Sequence, residues 1–375
     1  MRVLHVDSER PWRGGQNQVL LLMRRQRARG DEPHLAAPAD AALLARAADE
    51  GFPIHPVPMR GTWDLASVFA LAGVLRRLRP EIVHWHAARA HAIGAMASVL
   101  SPGSARVLSR RVAFPVRRSL GSRVLYALPI ERIAAISAAV RDALVRSGVD
   151  EARIDIVPSG VEAPAPLDPE RRAALRRSLG CGEEDVVGIT VAALARGKGH
   201  HQLLRAAGLA AERAPALRIW IAGDGPLRSD LESEAASLGL GTSVQFLGFR
   251  ADISSLLRVA DFFCLATRSE GLGSSILEAM AAGLPVAATR VGGVPEIVDE
   301  DTGILVPLDA PDATWADALA RMAVERGSRE KMGRSARERA ARFTADRTAE
   351  GTDRTYRKAL EARRLREGVG PRLTL

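Results

Sequence analysis

The sequence predicts two doubly wound α/β domains in tandem, on two observations. Short apolar segments alternate with helical stretches of about 10–15 residues in both halves of the chain, which is typical of parallel sheets covered on both faces. A segment with four prolines, Pro158 to Pro169, separates the halves and is typical of a linker. Such sheets bind ligands at the carboxyl ends of their strands, and these edges of the two domains could face one another across a cleft.

The first half contains six apolar segments that we interpret as strands: Val3–Val6, Pro33–Ala37, Ile54–Val57, Ile82–Trp85, Arg106–Leu108 and Ile133–Ile136. Helical patterns lie between several of these strands, at Val19–Arg29, Leu65–Leu78 and Ala138–Ser147. The order is that of a parallel sheet with crossover helices.

The alternation restarts after the linker with six more predicted strands: Val186–Ala193, Leu217–Ala222, Val244–Leu247, Phe262–Ala266, Pro285–Ala288 and Ile304–Val306. Predicted helices lie near His200–Glu212, Leu227–Leu238, Ile253–Ala260 and Ser274–Ala282. The remaining residues at the end of the chain are charged and mostly helical. We therefore expect domains at residues 1–160 and 161–340, followed by a helical segment at 341–375 that packs back on the first domain.

Composition restricts the class of protein. Hydrophobic residues are 47% and charged residues 26% of the 375, an ordinary globular mixture. The longest predominantly apolar run, Leu65 to Leu75, is about half of a membrane span. The opening residues leave no room for a signal-peptide core. Two cysteines, Cys181 and Cys264, make neither a disulfide scaffold nor a four-thiolate zinc site. We expect a reduced, cytoplasmic protein.

The excess positive charge lies in the first half. Residues 1–160 hold 23 Lys+Arg and 14 Asp+Glu, whereas the later residues hold equal numbers of each sign. No Asp or Glu occurs from Ile82 to Ile130, although seven arginines do. This window could face phosphates, anionic lipid or nucleic acid, or it could reflect a generally arginine-rich composition. Only 4% of the residues are aromatic, which disfavours base stacking, so we expect no nucleic-acid partner.

The densest chemical pattern follows the predicted strand Phe262–Ala266 and runs into a helix. Backbone N–H groups and hydroxyls at a helix N-terminus bind phosphate, and glycines allow close approach of a ligand. Two carboxylates beside such a cradle suit neutral sugar and ribose hydroxyls. The alternative is that one carboxylate only complements the helix dipole and the other is a solvated helix residue. The residues are Glu270, Gly271, Leu272, Gly273, Ser274, Ser275 and Glu278.

This segment resembles the E-x7-E motif of glycosyltransferase family 4, a family of retaining sugar transferases with the two-domain GT-B fold. Glu270 and Glu278 have the required spacing. The resemblance covers nearly the whole chain, through Gly14-Gly15, the crossover at Val157–Glu162, Ala222–Pro226, Phe246–Gly248, Gly292–Glu296 and Thr302–Pro307. It implies an acceptor-binding first domain and a donor-binding second domain, each Rossmann-like, facing across a cleft.

The resemblance also implies roles for individual residues. Glu270 and the backbone of Gly271–Gly273 would hold the donor sugar, and Glu278 would hold ribose hydroxyls. Ser274, Ser275, Lys198 and Arg196 would bind the diphosphate. Gly15 would approach the diphosphate or the acceptor, and backbone near Gly248 and Arg250 would meet the base.

The loop Ala193–His200 departs from the family pattern. Lys198 fits the lysine that clamps the donor diphosphate, but Ala193 stands where an arginine is usual. Arg196 could supply the guanidinium from a shifted position. One or two cations here would stabilise the departing diphosphate; the alternative is a solvated basic loop.

Two further groups lie in the first domain. His84 and His86 share one face of a strand and His91 follows, so a metal site is conceivable, but no nearby cysteine or carboxylate completes it. The resemblance implies that His86 would line the cleft; the alternative is that it is only a polar strand end. Many family members carry a histidine just after the next strand, where this chain has Arg110 and Arg111. An arginine there could meet a charged donor sugar or an acidic acceptor. Alternatively, it could form a membrane-facing patch with Arg117 and Arg118.

The predicted reaction is transfer of a sugar from a nucleotide diphosphate to an acceptor hydroxyl, with Glu270, Lys198, Arg196 and His86 as the catalytic group. The acceptor would be a lipid-linked glycan, lipopolysaccharide or other envelope molecule. No cofactor or metal is expected, since Asp299-Glu300-Asp301 reads as a surface turn. Two alternatives stay open: a nucleotide-sugar epimerase on the same fold, and a non-catalytic polyanion binder. A nicotinamide enzyme is disfavoured because no G-x-G-x-x-G follows the first strand.

Overall fold

The structure is a computed structural model that describes residues 1–113, 125, 126, 128, 130–165, 167–366 and 368. Its internal contacts divide the chain into two compact units. The first unit comprises Met1–Gly160 and the residues from Ala345 onward, and the second comprises Val161–Thr344. The expected boundaries were 160/161 and 340/341.

The first unit is built on a seven-stranded parallel sheet with the order β3-β2-β1-β4-β5-β6-β7. The first strand lies inside the sheet, with β2 on one side and β4 on the other, so the chain builds outward to one side and then to the other. The strands are β1 Arg2–Val6, β2 Glu32–Ala37, β3 Ile54–Pro56, β4 Ile82–Trp85, β5 Ala105–Arg110, β6 Arg132–Ala135 and β7 Ile154–Ile156.

The described helices of this unit cover the sheet: α1 Gly14–Ala28, α2 Ala42–Asp49, α3 Leu65–Leu78, α4 Ala88–Leu100 and α5 Ala138–Arg146. The unit is completed by α14, Ala345–Arg366, which follows the second unit in sequence and packs against α1, β5 and β6. Buried apolar side chains at the start of β1 and on β4 and β5 pack against Tyr356 and Ala359 of α14.

The second unit is built on a six-stranded parallel sheet with the order β10-β9-β8-β11-β12-β13. Its strands are β8 Val186–Val191, β9 Leu217–Ala222, β10 Val244–Gly248, β11 Phe262–Leu265, β12 Val286–Arg290 and β13 Gly303–Pro307. Its described helices are α6 Pro169–Ser178, α7 His200–Ala211, α8 Arg228–Ser237, α9 Ile253–Val259, α10 Ser274–Ala281, α11 Val294–Ile297, α12 Asp312–Val324 and α13 Arg326–Ala340.

These two parallel-sheet units confirm the predicted fold class, and each of the twelve predicted strands is present. The sequence patterns did not include β7, α2, α6 and the four-residue α11. A helix carrying His91 was expected after β4, and α4 confirms it. β7 has only three residues, too few for a clear period. α6 begins at the last proline of the predicted linker, where Asp168 caps it by accepting from the Arg171 N–H at 2.7 Å. Proline suits both a linker and the first position of a helix, so the linker interpretation concealed a helix.

Cys181 and Cys264 are both buried and neither forms a disulfide. Among the described residues, no helix combines the length and apolar character needed to cross a bilayer.

Candidate active site

The centre of the second sheet is the point where the strand order reverses. β8 pairs with β9 on one side and with β11 on the other. In an open parallel sheet the loops that follow two such strands diverge and leave a crevice, which is where ligands bind. The loop Ala192–Gly199 follows β8, and the loop Ala266–Gly273 follows β11. The two segments singled out from the sequence therefore flank one crevice.

Gly199 fixes the first of these loops against the end of β11. Its φ is +72°, and a Cβ at this position would lie 1.8 Å from the Ala266 carbonyl oxygen. The carbonyl of Gly197 accepts hydrogen bonds from the Arg268 N–H at 2.8 Å and from the Thr267 hydroxyl at 3.2 Å. The loop that carries Lys198 is thus tied to the loop that carries Glu270.

An ion pair joins these two loops. Lys198 Nζ donates to Glu270 Oε2 at 2.8 Å, with side chains 31% and 18% exposed. The carbonyl of Glu270 accepts from the Gly293 N–H at 3.3 Å, so its backbone is held as well. A cation and a carboxylate that are both partly open to solvent can each turn to a ligand at little desolvation cost.

The N-terminus of α10 lies beside this pair. Gly273 precedes the helix with φ +101° and offers no side-chain cap. Its carbonyl accepts from the Leu277 N–H at 3.0 Å, so the three preceding amides lack a partner within the helix. Ser274, Ser275 and Glu278 are half-buried, whereas Gly271, Leu272 and Gly273 are buried. Free amides and the helix dipole make this end suitable for an anion.

Gly248 lies at the same edge of the sheet, on the outer strand β10. Its φ is +66°, and its carbonyl accepts from the Gly223 N–H at 2.8 Å. A Cβ on Gly248 would lie 3.1 Å from the Arg228 guanidinium. Arg250, two residues further on, is held by Asp252 through two hydrogen bonds of 2.7 and 2.6 Å.

Arg196 is placed differently from Lys198. It is exposed, and the structure gives no contact between its guanidinium and Lys198, Glu270 or α10 among the described residues. Its proposed replacement of the missing arginine stays a prediction. Asp299 lies in a turn, where it forms an ion pair with Arg339 and bonds with Thr302, and Glu300 and Asp301 are exposed.

A buried histidine network occupies the corresponding reversal point of the first sheet, between β1 and β4. His5 Nδ1 lies 2.8 Å from His86 Nε2, and His5 Nε2 lies 2.7 Å from Gln26 Oε1. His84 contacts the Tyr356 hydroxyl and the Ser109 hydroxyl, each at 2.8 Å. The third histidine of this cluster is His5, whereas His91 stacks on Trp85. Sequence reasoning had grouped His91 with His84 and His86.

Arg111 fixes the direction of these hydrogen bonds. Its Nη1 donates to the His86 carbonyl at 3.3 Å, and its Nη2 lies 3.2 Å from His86 Nδ1. A guanidinium only donates, so His86 Nδ1 must accept and Nε2 carries the proton. His86 then donates to His5, and His5 donates to Gln26. Burial lowers the pKa of His5 to about 4 and the pKa values of His84 and His86 well below the usual range, so all three are neutral at pH 7.

This network does not suit a metal ion. Six ring nitrogens of His5, His84 and His86 already have polar partners in the contacts just described. The nearby Arg111 cation also lowers the pKa values of the three rings, and it would repel a divalent cation in the same way. The cluster is better described as a rigid support for Arg111.

Arg111 also borders the first turn of α1, where Gly14 and Gly15 begin the helix and do not form the separate loop that the sequence suggested. A Cβ on Gly15 would lie 4.0 Å from Arg111 Cδ, so these two predicted residues are neighbours. Arg111 Nε is buried and has no hydrogen-bond partner among the described residues. Burial lowers the pKa of Arg111 to about 10, and the nearby Asp7 carboxylate opposes this.

Asp7 is a residue that sequence reasoning missed. Its carboxylate is buried at the end of β1, where it accepts from the Glu9 N–H at 2.8 Å and from Gln16 Nε2 at 3.2 Å. Burial raises its pKa, and the Arg111 charge opposes this. The sequence did contain a signal for this residue: Asp7 directly follows the first strand and precedes the pair Gly14-Gly15. Arg110 is half-buried at the end of β5, and Arg117 and Arg118 lie outside the described residues.

The geometry defines a class: two parallel-sheet units, each with polar groups at its strand reversal point, as in glycosyltransferases of the GT-B type. The family model "Glycosyltransferase Family 4" matches residues 12–163, and "Glycosyl transferases group 1" matches residues 171–339. The chain belongs to glycosyltransferase family 4.

Curated relatives agree with this assignment. The chain is similar to D-inositol 3-phosphate glycosyltransferase of Saccharomonospora viridis, with 37% identity over 56% of this chain and 52% of the relative. It is also similar to the enzyme of that name from Kribbella flavida, with 32% identity over 74% of this chain and 67% of the relative. The matched region thus spans about half to two thirds of these relatives.

Solved structures show the same fold. Anabaena Alr3699/HepE, crystallised with UDP and glucose, superposes with a TM-score of 0.84 at 22% identity, over 95% of this chain and 99% of that one. WaaG, a glycosyltransferase involved in lipopolysaccharide biosynthesis, superposes with a TM-score of 0.74 at 18% identity, over 93% and 98%.

Proposed function

We propose that the protein transfers a sugar from a nucleoside diphosphate sugar to an acceptor hydroxyl, with retention of anomeric configuration. The observation that carries this proposal is the Lys198–Glu270 ion pair beside the uncapped N-terminus of α10, at the reversal point of the second sheet. Similar folds hold UDP with glucose and UDP-glucose, and similar sequences are named as glycosyltransferases.

The donor is divided between the groups of this site. The amides and hydroxyls of Ser274 and Ser275, with Lys198, bind the diphosphate. Glu270 and the backbone of Gly271–Gly273 accept and donate hydrogen bonds to the sugar. Glu278, about one turn into the same helix, accepts from ribose hydroxyls, and Gly248 lies beside the base.

The reaction breaks the bond between the anomeric carbon and the diphosphate oxygen. The acceptor hydroxyl oxygen attacks the same face, and the departing phosphate oxygen takes its proton, so that the products are the glycoside and the nucleoside diphosphate. Negative charge grows on the departing oxygens, where Lys198 and the α10 amides stabilise it. This cationic end fulfils the role that a divalent metal has in other transferases, so we propose metal-independent transfer.

The acceptor we propose is anionic and belongs to the cell envelope, as a lipid-linked or lipopolysaccharide glycan does. Arg111 supports this: it is a desolvated cation beside Gly15, and its Nε has no partner among the described residues. Curated relatives are named for an inositol phosphate acceptor, which is also anionic. Peripheral association with the inner face of the membrane would bring the enzyme to a lipid-linked acceptor.

Calorimetry with UDP, GDP and ADP tests the donor site. One nucleotide is expected to bind with micromolar affinity. Glu278→Ala is expected to lower that affinity at least tenfold, because the ribose hydroxyls lose a charged hydrogen-bond acceptor. Glu330→Ala is the matched control, since Glu330 is on α13 and its only ion pair among the described residues is with Arg326. If the folded protein binds none of the three, the transferase proposal fails. Conversion of the donor to a new sugar nucleotide without an acceptor would favour the epimerase alternative.

A further inference from the structure

The outer surface of α3 is apolar where a surface helix is normally polar. Trp63, Leu65 and Phe69 are large side chains that are 59%, 63% and 61% exposed. Ala66 and Ala70 are exposed beside them. We call these five residues the α3 face. Positions 66, 69 and 70 follow helical spacing, and the half-buried Gly73 continues the same side of the helix.

The opposite side of the same helix already serves the core. Val68, Leu71, Ala72 and Leu75 are buried, and the only uncharged polar residue, Ser67, is buried too. A helix that is apolar on all sides is normally enclosed by protein or by lipid. The outer side of α12, in contrast, carries exposed Asp317 and Arg321. The α3 face is therefore apolar where the outer side of another surface helix of this chain, α12, is charged.

Positive charge flanks the α3 face at both ends. Residues 60–79 contain four exposed arginines and one aspartate, a net charge of +3: the arginines are Arg60, Arg76, Arg77 and Arg79. The aspartate, Asp64, caps the helix. Its oxygens accept from the Ser67 N–H at 3.2 Å, the Ser67 hydroxyl at 2.7 Å and the Arg60 N–H at 3.0 Å. Within the described part of the chain, no ion pair neutralises Arg76 or Arg77.

We infer that the α3 face binds the surface of an anionic phospholipid bilayer. Trp, Leu and Phe insert at the boundary of headgroups and acyl chains, while arginines at the rim bind lipid phosphates. A second copy of the chain fits less well. In a two-fold antiparallel pair, Arg60 of one copy would meet Arg76 and Arg77 of the other, and like charges would oppose each other.

This surface lies near the edge of the sheet that holds the first-unit site. Trp63 and Leu65 come from the loop after β3 and the start of α3. They therefore lie at the carboxyl edge, the same edge at which the first turn of α1, His86 and Arg111 lie. If the proposed function holds, docking through the α3 face brings this edge to the headgroups, where a lipid-linked acceptor is found. Bilayer binding itself does not depend on that function.

Vesicle co-sedimentation tests the inference with the full chain and no nucleotide. The wild type is expected to bind vesicles of phosphatidylglycerol and phosphatidylcholine, but not phosphatidylcholine alone. The double substitution Trp63→Ser and Phe69→Ser is expected to reduce this binding at least tenfold. Arg76→Gln with Arg77→Gln is expected to reduce the dependence of binding on salt. Leu209→Ser is the matched control, because Leu209 is 54% exposed on α7 of the second unit.

Each outcome decides the question. Because the substituted side chains are exposed, unchanged thermal unfolding is expected and shows that the variants fold. Equal binding by the wild type and the double variant would overturn the inference. So would self-association without vesicles that the double variant abolishes, since the α3 face would then be an interface between copies. Nucleotide calorimetry on the same variants keeps the proposed function separate, because donor binding is expected to stay unchanged.

Discussion

Lys198 and Glu270 have opposite charges and different proposed ligands, which makes them separable. Lys198→Ala is expected to lower the affinity for the free nucleotide and for its sugar derivative by about tenfold to a hundredfold, because each ligand carries the diphosphate. Glu270→Gln is expected to leave nucleotide affinity within about twofold and to lower turnover at least tenfold, because only the sugar loses its acceptor.

Calorimetry and initial rates on the same preparations measure these effects. Lys331→Ala is the control, since Lys331 is exposed on α13 and distant in sequence from both loops. Equal loss of nucleotide affinity in the Lys198 and Glu270 variants would contradict the proposed division of the donor.

Arg111 is the residue on which acceptor choice is proposed to depend. Arg111→Gln keeps a hydrogen-bond donor toward His86 but removes the charge. The KM for an anionic acceptor is therefore expected to rise at least tenfold, whereas the KM for a neutral analogue of the acceptor is expected to change little. Arg111→Lys is expected to recover part of the loss, because it restores the charge without the planar guanidinium. Arg146→Gln, an exposed arginine on α5, provides the control. A uniform rise in KM for charged and neutral acceptors would argue for a purely structural role.

At the scale of elements, the stability of the second unit depends on close contact between the backbones of the loops that follow β8 and β11. Gly199→Ala is expected to destabilise this unit by more than about 2 kcal/mol, because a Cβ would collide with the Ala266 carbonyl at 1.8 Å and the φ is +72°. Gly239→Ala is the matched control: its φ is +69°, but nothing lies within 4 Å, so about 1 kcal/mol is expected. Denaturant unfolding measures both, and equal losses would show that the approach to β11 contributes little.

The helix α3 shows which property of an element the sequence pattern identifies and which it does not. Its length and boundaries were predicted without error from periodicity, as Leu65–Leu78. The periodicity did not reveal that both sides of the helix are apolar and one of them is exposed. A pattern that identifies a helix therefore leaves open what covers it.

At the scale of the whole molecule, buried neutral histidines make stability depend on pH. Burial lowers the pKa of His5 to about 4 in the folded protein, against 6.5 for an unperturbed histidine. Between these values the unfolded chain binds more protons than the folded one, so stability is full above about pH 6.5 and is lost as the pH falls toward 4. Each pKa unit corresponds to about 1.4 kcal/mol, so His5 contributes about 3 kcal/mol to this loss. His84 and His86 act in the same direction, whereas Asp7, whose pKa is raised by burial, opposes them.

Thermal unfolding between pH 4 and pH 7.5 measures this dependence. His5→Gln removes one titrating group, so the variant is expected to lose stability less steeply as the pH falls, although it is less stable at pH 7. A slope as steep as that of the wild type would show that His5 is not the neutral, buried group described above.

The sequence predicted the sheets and the second-unit site well, because apolar strands and glycine-rich loops are local patterns. It did not predict the histidine network. His5, His84 and Tyr356 are brought together by β1, β4 and the last helix, and no local spacing links residues 272 positions apart. Arg111 was predicted as one of four arginines on the acceptor or membrane side, at a position that departs from the family pattern. Its burial, its contact with His86 and its place beside Gly15 follow from the fold alone.

The return of the last helix to the first unit has a consequence for biosynthesis. The second unit is one continuous stretch, Val161–Thr344, and can finish folding as soon as it leaves the ribosome. The first unit is begun earlier but completed later, because Tyr356, which contacts His84 and Gln26, is synthesised after the whole of the second unit. Until that helix arrives, the early-made sheet keeps an uncovered surface around β5 and β6. The unit proposed to receive the acceptor thus matures after the unit proposed to bind the donor.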